Sequence, residues 1–243
     1  MKYRQDPDLD FLKECTNEDL NILVEVLLRN KDGQYRNIVQ LPNHPLYKQF
    51  APNHTSYWEV IAGEIQRYGS NPLAALARAG RGKHYFKILG DVCGRFSVAY
   101  NPDASAEVIE RALYIALFSR AIPRIPTEEL QITADTLGIT PTALNAQAIV
   151  QAMHEAMRLD DMIGYMLSLI VAHGSAMNAS NVGYKKVAPE KLHPVLDIFL
   201  KPLGIEFDAI SPLSLTGSAH WIVIPVVLQL ACLRAKKNAE KTA

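Results

Sequence analysis

Three cysteines in 243 residues, at positions 15, 93 and 232, leave no CxxC pair and no zinc-ligand spacing. So scattered and odd a set excludes a disulfide framework, and each thiol reads as a small apolar residue in a reducing compartment. An excess of either charge is also lacking. The 25 Lys and Arg stand against 25 Asp and Glu, which excludes a generic polyanion binder dependent on surplus cations. Period-two alternation is rare, so there is little material for strands. The opening Met-Lys-Tyr-Arg-Gln-Asp-Pro-Asp has no apolar stretch after its cations, so no secretory signal is expected and a cytoplasmic location is.

Helix signals fill the space that strands leave. Asp6-Pro7-Asp8 opens a short turn with Leu9, Phe11 and Leu12, and Thr16-Asn17-Glu18-Asp19 has the spacing of a capping box. Leu20, Leu23, Val24, Leu27 and Leu28 then form one helical face, ended at Asp32-Gly33. Trp58, Ile61, Ile65 and Tyr68 mark a second face. Asn71-Pro72 opens a short helix, and Phe86, Leu89, Cys93 and Phe96 mark the next one. Val108, Ile109, Ala112, Leu113, Ala116 and Leu117 predict another, with Glu107 and Arg111 paired four apart on its side. Thr127-Glu128-Glu129 and Thr140-Pro141 read as further helix starts. Met162 to Ala172 is apolar, Gly174 to Ala188 reads as a loop, and Leu192, Val195, Leu196 and Phe199 mark a later helix.

The expected fold is therefore all-α, a multi-helix globular bundle with short loops. Pro123 and Pro126 suggest a boundary. The expected division is a short helical unit over 1–35, a helical core over 36–122 and a C-terminal helical region over 123–243.

One run is ambiguous. Leu213 to Leu233 carries no charge for 21 residues, and Arg234, Lys236 and Lys237 follow. Its dense part, Trp221 to Leu233, is too short for the roughly 20 apolar residues of a spanning helix. It reads first as a buried core helix. The alternative is peripheral contact with anionic lipid through Trp221, Ile222, Ile224, Lys236, Lys237 and Lys241.

No catalytic set emerges. His154-Glu155-Ala156-Met157-Arg158 places a cation where HExxH needs its second metal ligand. Gly80-Arg81-Gly82-Lys83-His84 lacks the spacing and the preceding strand of a phosphate loop. Neither His173-Gly174-Ser175 nor Gly217-Ser218-Ala219-His220 is a nucleophile elbow. Asp91, on a mostly apolar helix, reads as a partner for Arg95 or a more distant cation. Charge is uneven along the chain: the net is −3 over 1–32, +5 over 33–100, −5 over 101–161 and +3 over 162–243. These blocks are expected to pack on one another. A local basic face around Arg81, Lys83 and Lys87 is the alternative, with no specific nucleic-acid signal, and a phosphate-ligand or enzyme site around residues 80–91 is a further one.

Asp8-Leu9-Asp10-Phe11-Leu12-Lys13-Glu14-Cys15 with Glu18-Asp19-Leu20 resembles the short N-terminal domain of the YaaW-like bacterial proteins. The stretches Trp58 to Asn71, including Glu64 and Gly69, and Gly80 to Cys93, including Arg81, Gly82, Lys83, Tyr85 and Asp91, resemble their next blocks. Gly217 to Ala219 and Ile224 to Arg234 are similar to their C-terminus, whereas residues 120–212 match poorly. Gly69-Ser70 stands where that family usually has Gly-Gly. The resemblance implies a central region like a ubiquinol–cytochrome c chaperone, hence an assembly module with an unknown protein partner rather than an enzyme. It implies no catalytic residues and no cofactor. Trp58, Glu64, Gly69, Asn71, Arg81, Gly82, Lys83, Tyr85 and Asp91 are the candidate motif or binding residues.

Overall fold

The computed structural model describes residues 3–69, 82–182, 188–208 and 220–242. Among these the regular structure is helical, with one isolated bridge between Arg29 and Tyr35, so the fold is all-α as expected. Helix α1 spans Asn17–Leu28. Its capping box is complete: the Thr16 hydroxyl accepts from the Asp19 amide (3.2 Å), and the Asp19 carboxylate accepts from the Thr16 amide (2.9 Å). The helix ends at Leu28 rather than at Asp32-Gly33, because Arg29 turns extended and bridges to Tyr35; Gly33 takes φ +75° in the turn between them, a left-handed conformation that glycine adopts without strain.

Short α2 (Pro45–Phe50) leads to α3 (Trp58–Tyr68), and α4 spans Tyr85–Arg95. The helix expected at Asn71-Pro72 lies outside the described residues. Helix α5 (Ala106–Ala121) starts at Ser105, whose hydroxyl accepts from the Val108 amide, and α6 covers Thr127–Leu137. Helix α7 (Ala146–Leu159) begins later than Thr140-Pro141 suggests, because the Asn145 side chain supplies the cap (3.0 Å to the Ala148 amide). Asp160 caps α8 (Asp161–Ser180), α9 spans His193–Asp208, and α10 spans His220–Thr242.

Two further expectations need correction. The predicted loop from Gly174 is helical to Ser180, because α8 is wrapped on several sides and burial outweighs its low-propensity residues. Ser180 spends its hydroxyl on the Ala176 carbonyl (3.0 Å) rather than breaking the helix. The buried face of α5 is also turned from the predicted one. Val108 is exposed, while Glu110, Tyr114 and Phe118 join Ile109, Leu113 and Leu117 inside.

Helices α8 and α10 lie against each other at the centre, with α9 along α8 and α1 along α10. Helix α5 bridges α8, α9 and α10, and Phe118 stacks on Phe199 of α9 at 4.1 Å. One apolar cluster runs from Leu9 to Leu233, so the three segments suggested by the sequence share a single core. The dense apolar run belongs to it: Ile222, Val223, Ile224 and Val226 to Leu233 are all buried. No helix among the described residues is long and apolar enough to cross a membrane.

Where α1 meets the start of α3, buried His54 lies 2.5 Å from the Tyr57 hydroxyl and 3.1 Å, through Nε2, from Asn21 Oδ1. Assigning Asn21 Oδ1 as acceptor makes Nε2 the protonated nitrogen and Nδ1 the acceptor of the Tyr57 proton. Burial lowers the His54 pKa from 6.5, only partly opposed by Glu25. The unfolded chain then binds a proton near pH 6.5 that the folded chain refuses, so this contribution to stability falls as pH drops from 6.5 toward the depressed value. Urea melts at pH 7.5, 6.5 and 5.5 are expected to show this decline in the wild type, at no more than about 1.4 kcal/mol per pH unit. His54→Gln, which cannot titrate, should lack that part of the slope; equal slopes would exclude the assignment.

Candidate functional site

The densest polar arrangement joins the N-terminal segment to α3, α4, α5 and α10. Asp6 is buried, and its Oδ2 accepts from the Tyr85 amide at the start of α4 (2.7 Å) and from Gln66 Nε2 (3.2 Å). This carboxylate thus satisfies an otherwise orphaned helix donor and faces the positive end of the helix dipole. Gln66 also clasps residue 4, accepting from the Arg4 amide (3.0 Å) and donating to the Arg4 carbonyl (2.8 Å). Two glycines permit the close packing. A Cβ on Gly82 would lie 2.4 Å from Gln66 Cβ, and one on Gly69 would lie 2.3 Å from Ile88.

From Tyr85 the network continues into the core. The Tyr85 hydroxyl donates to Glu110 Oε1 (2.6 Å), and Arg234 Nε donates to Glu110 Oε2 (2.8 Å). Arg234 also donates to the Asp8 carbonyl (2.6 Å), and its guanidinium lies 4.3 Å above the Phe11 ring. Glu110 is 2% exposed. Burial pushes its carboxyl up from the usual range, with Arg234 and the Tyr85 hydroxyl holding it back. Burial also raises the Tyr85 phenol, and Glu110 adds to the effect. Burial works against the charge on Arg234, but Glu110 restores it, so the guanidinium remains protonated.

Chemically this is a brace. Each Glu110 oxygen accepts from an internal donor, and the hollow lined in part by Glu110 and Tyr114 has a volume of about 10 Å³. That is about the space of one water, too little for a substrate. Burial pushes the Cys15 and Cys232 thiols up to about 12 and Cys93 to about 11, which suppresses the nucleophilic thiolate. No cluster of His, Cys, Asp and Glu suited to a metal ion occurs among the described residues.

The candidate residues divide accordingly. Glu64 is buried and held by Arg67, with contacts of 2.7 and 3.0 Å, while its Oε1 also accepts from the Gln40 amide (2.8 Å). Half-buried Trp58 packs edge-on to Tyr3, with ring centroids 5.6 Å apart. Asp91 pairs with Lys83, a more distant cation. Tyr85 turns the other way, into the core, so Lys83, Tyr85 and Asp91 do not gather in one pocket. Asn71 and Arg81 lie outside the described residues.

At the C-terminal end, Ile222 and Ile224 are buried, so they are core side chains rather than a contact surface. The apolar face of α10 needed the central position that α8 gives it. Lys236 is bound to Asp19 (2.6 Å) and Lys237 to Glu240 (2.8 Å), whereas Trp221 is 55% exposed. Sequence reasoning missed Asp6, Gln66, Glu110 and Arg234 as a set. The strongest available signal was a carboxylate at position 110 directly after the apolar pair Val108-Ile109.

Residues 3–37 match a domain of unknown function, DUF3944. A UPF0174 protein of Helicobacter pylori strain J99 is 32% identical over 238 residues, covering 97% of this chain and 94% of the relative. The UPF0174 protein YaaW of Escherichia coli strain K12 is 27% identical over 244 residues, 98% of each. The similarity therefore extends through residues 120–212, where the sequence motifs alone match poorly. No solved structure matches the chain.

Proposed function

The chain belongs to the UPF0174 family, and from that premise we propose that it is a non-enzymatic, assembly-factor-like helical protein that binds a protein partner. The observation that carries this reading is an exposed apolar corner where α7 turns into α8. Leu159 is 87% exposed there, next to Met162, which is also exposed. Arg111 reaches Asp161 (3.5 Å) and so draws the edge of α5 that carries exposed Val108 to the same corner. Glu107, on Arg111 (3.6 Å), and the exposed pair Glu155–Arg158 supply charge around it. Apolar anchors within a polar rim are what a protein interface uses. The internal saturation of Glu64, Glu110 and Asp6 adds support, because it leaves the best-placed carboxylates without a free reactive oxygen. The chaperone-like resemblance of the central region supplies the assembly part of the proposal. Lipid contact through α10 is less favourable, since Ile222 and Ile224 would have to leave the core and Lys236 would have to leave Asp19.

The test compares tagged wild type with a Leu159→Glu/Met162→Glu variant. Crosslinking under mild detergent and mass spectrometry identify the partner, which is then purified and titrated against both forms. The expected result is at least a tenfold weaker complex for the variant, with a melting midpoint within about 2 °C of wild type. Repeated recovery of the wild type alone, or equal affinities, would sink the proposal.

A further inference from the structure

Arg36 is 9% exposed and has no anion. Its Nη2 donates to the Ala179 carbonyl (2.9 Å), while its Nε has no hydrogen-bond partner. No described carboxylate forms an ion pair with it, and the stretches outside the described residues contain no Asp or Glu. Burial accordingly pulls its pKa down, with only the Tyr68 phenol opposing. A buried guanidinium without a counter-ion is costly, and such groups are ordinarily paired.

Arg36 lines a cavity of about 260 Å³ between the turn after α1, the end of α8, the end of α9 and the first turns of α10. Phe207, Trp221, Ile224 and Pro225 give it an apolar wall. Lys31 and Asp32 stand exposed on its lining and offset each other in charge. We propose that this cavity binds a small amphipathic monocarboxylate, its carboxylate on the Arg36 guanidinium and its apolar body along Phe207, Trp221, Ile224 and Pro225. One guanidinium neutralises one negative charge, and Arg–carboxylate pairing is strong where water is excluded. A dianionic phosphate would need a second cation without an offsetting acid. A small hydrated anion would leave the apolar wall uncovered, and the volume lies near the lower end for small-molecule sites. This site is separate from the α7–α8 corner, so either proposal can fail alone.

Trp221 lines the cavity and is one of only two tryptophans, so Trp58→Phe leaves it as the sole indole reporter. Octanoate and 1-octanol, matched in chain length, are titrated into the otherwise full-length Trp58→Phe protein. The expected result is a saturable change in Trp221 emission with octanoate at least tenfold tighter than octanol, and a raised melting midpoint in octanoate. Adding Arg36→Gln should erase the preference, with both probes then binding alike. Should Arg36→Gln fail to fold, the octanoate–octanol comparison in the Trp58→Phe protein decides alone. No saturable octanoate signal, equal binding of the two probes, or a preference that survives Arg36→Gln in a folded protein would overturn the assignment.

Discussion

Replacing Arg234 by alanine is expected to cost about 3–5 kcal/mol, because it leaves the Glu110 carboxylate buried without its cation. Three contacts are lost together: the 2.8 Å pair with Glu110, the 2.6 Å bond to the Asp8 carbonyl, and the guanidinium stacked on Phe11. Glu110→Gln should also destabilise, since it strands the guanidinium instead. The informative form is the double replacement Glu110→Gln/Arg234→Ala. It is expected to lose less than the two single changes combined, with a coupling energy of up to about 3 kcal/mol. Urea denaturation of the four proteins measures this. Additive losses would mean that the two groups do not act as a pair.

The second large effect is expected at Val227→Asp. Val227 is fully buried on α10 in the apolar cluster, so an aspartate there would bury an unpaired charge or force the helix out. The cost is expected to exceed about 4 kcal/mol, a large part of the roughly 5–15 kcal/mol of an ordinary domain, so the urea midpoint should fall steeply. Leu159→Asp is the control. That position is exposed, so the change should stay within about 0.5 kcal/mol. A stable Val227→Asp protein with a normal melting curve would mean that α10 is not a core helix in solution.

The features read correctly from the sequence are those whose cause is local. Thr16 and Asp19 lie three apart, so chain spacing alone exposes the capping box. The burial of Leu192, Val195, Leu196 and Phe199 follows from period 3.6 in the same way. The Glu110–Arg234 brace was hidden because its members are 124 positions apart. A Glu in an amphipathic helix ordinarily marks the solvent side, and only the turned face of α5 makes Glu110 internal. The end of α8 was misread because Gly174, Ser175 and Asn178 are weak helix formers, and the burial that overrides them comes from other helices. Arg36 was equally silent, since no local pattern distinguishes a buried cation near a turn from a solvated one.

The bond from Arg234 to the Asp8 carbonyl joins positions 226 apart, and that separation has a consequence for biosynthesis. At about 5–20 residues per second, Asp8 leaves the ribosome roughly 10–45 s before its partner is made. Asp19 waits almost as long for Lys236, and the N-terminal face of α1 for the helix that covers it. During that interval the first block of the chain is translated but not closed. Its closure therefore waits for α10, and a nascent chain arrested before Arg234 would carry an open apolar seam along α1.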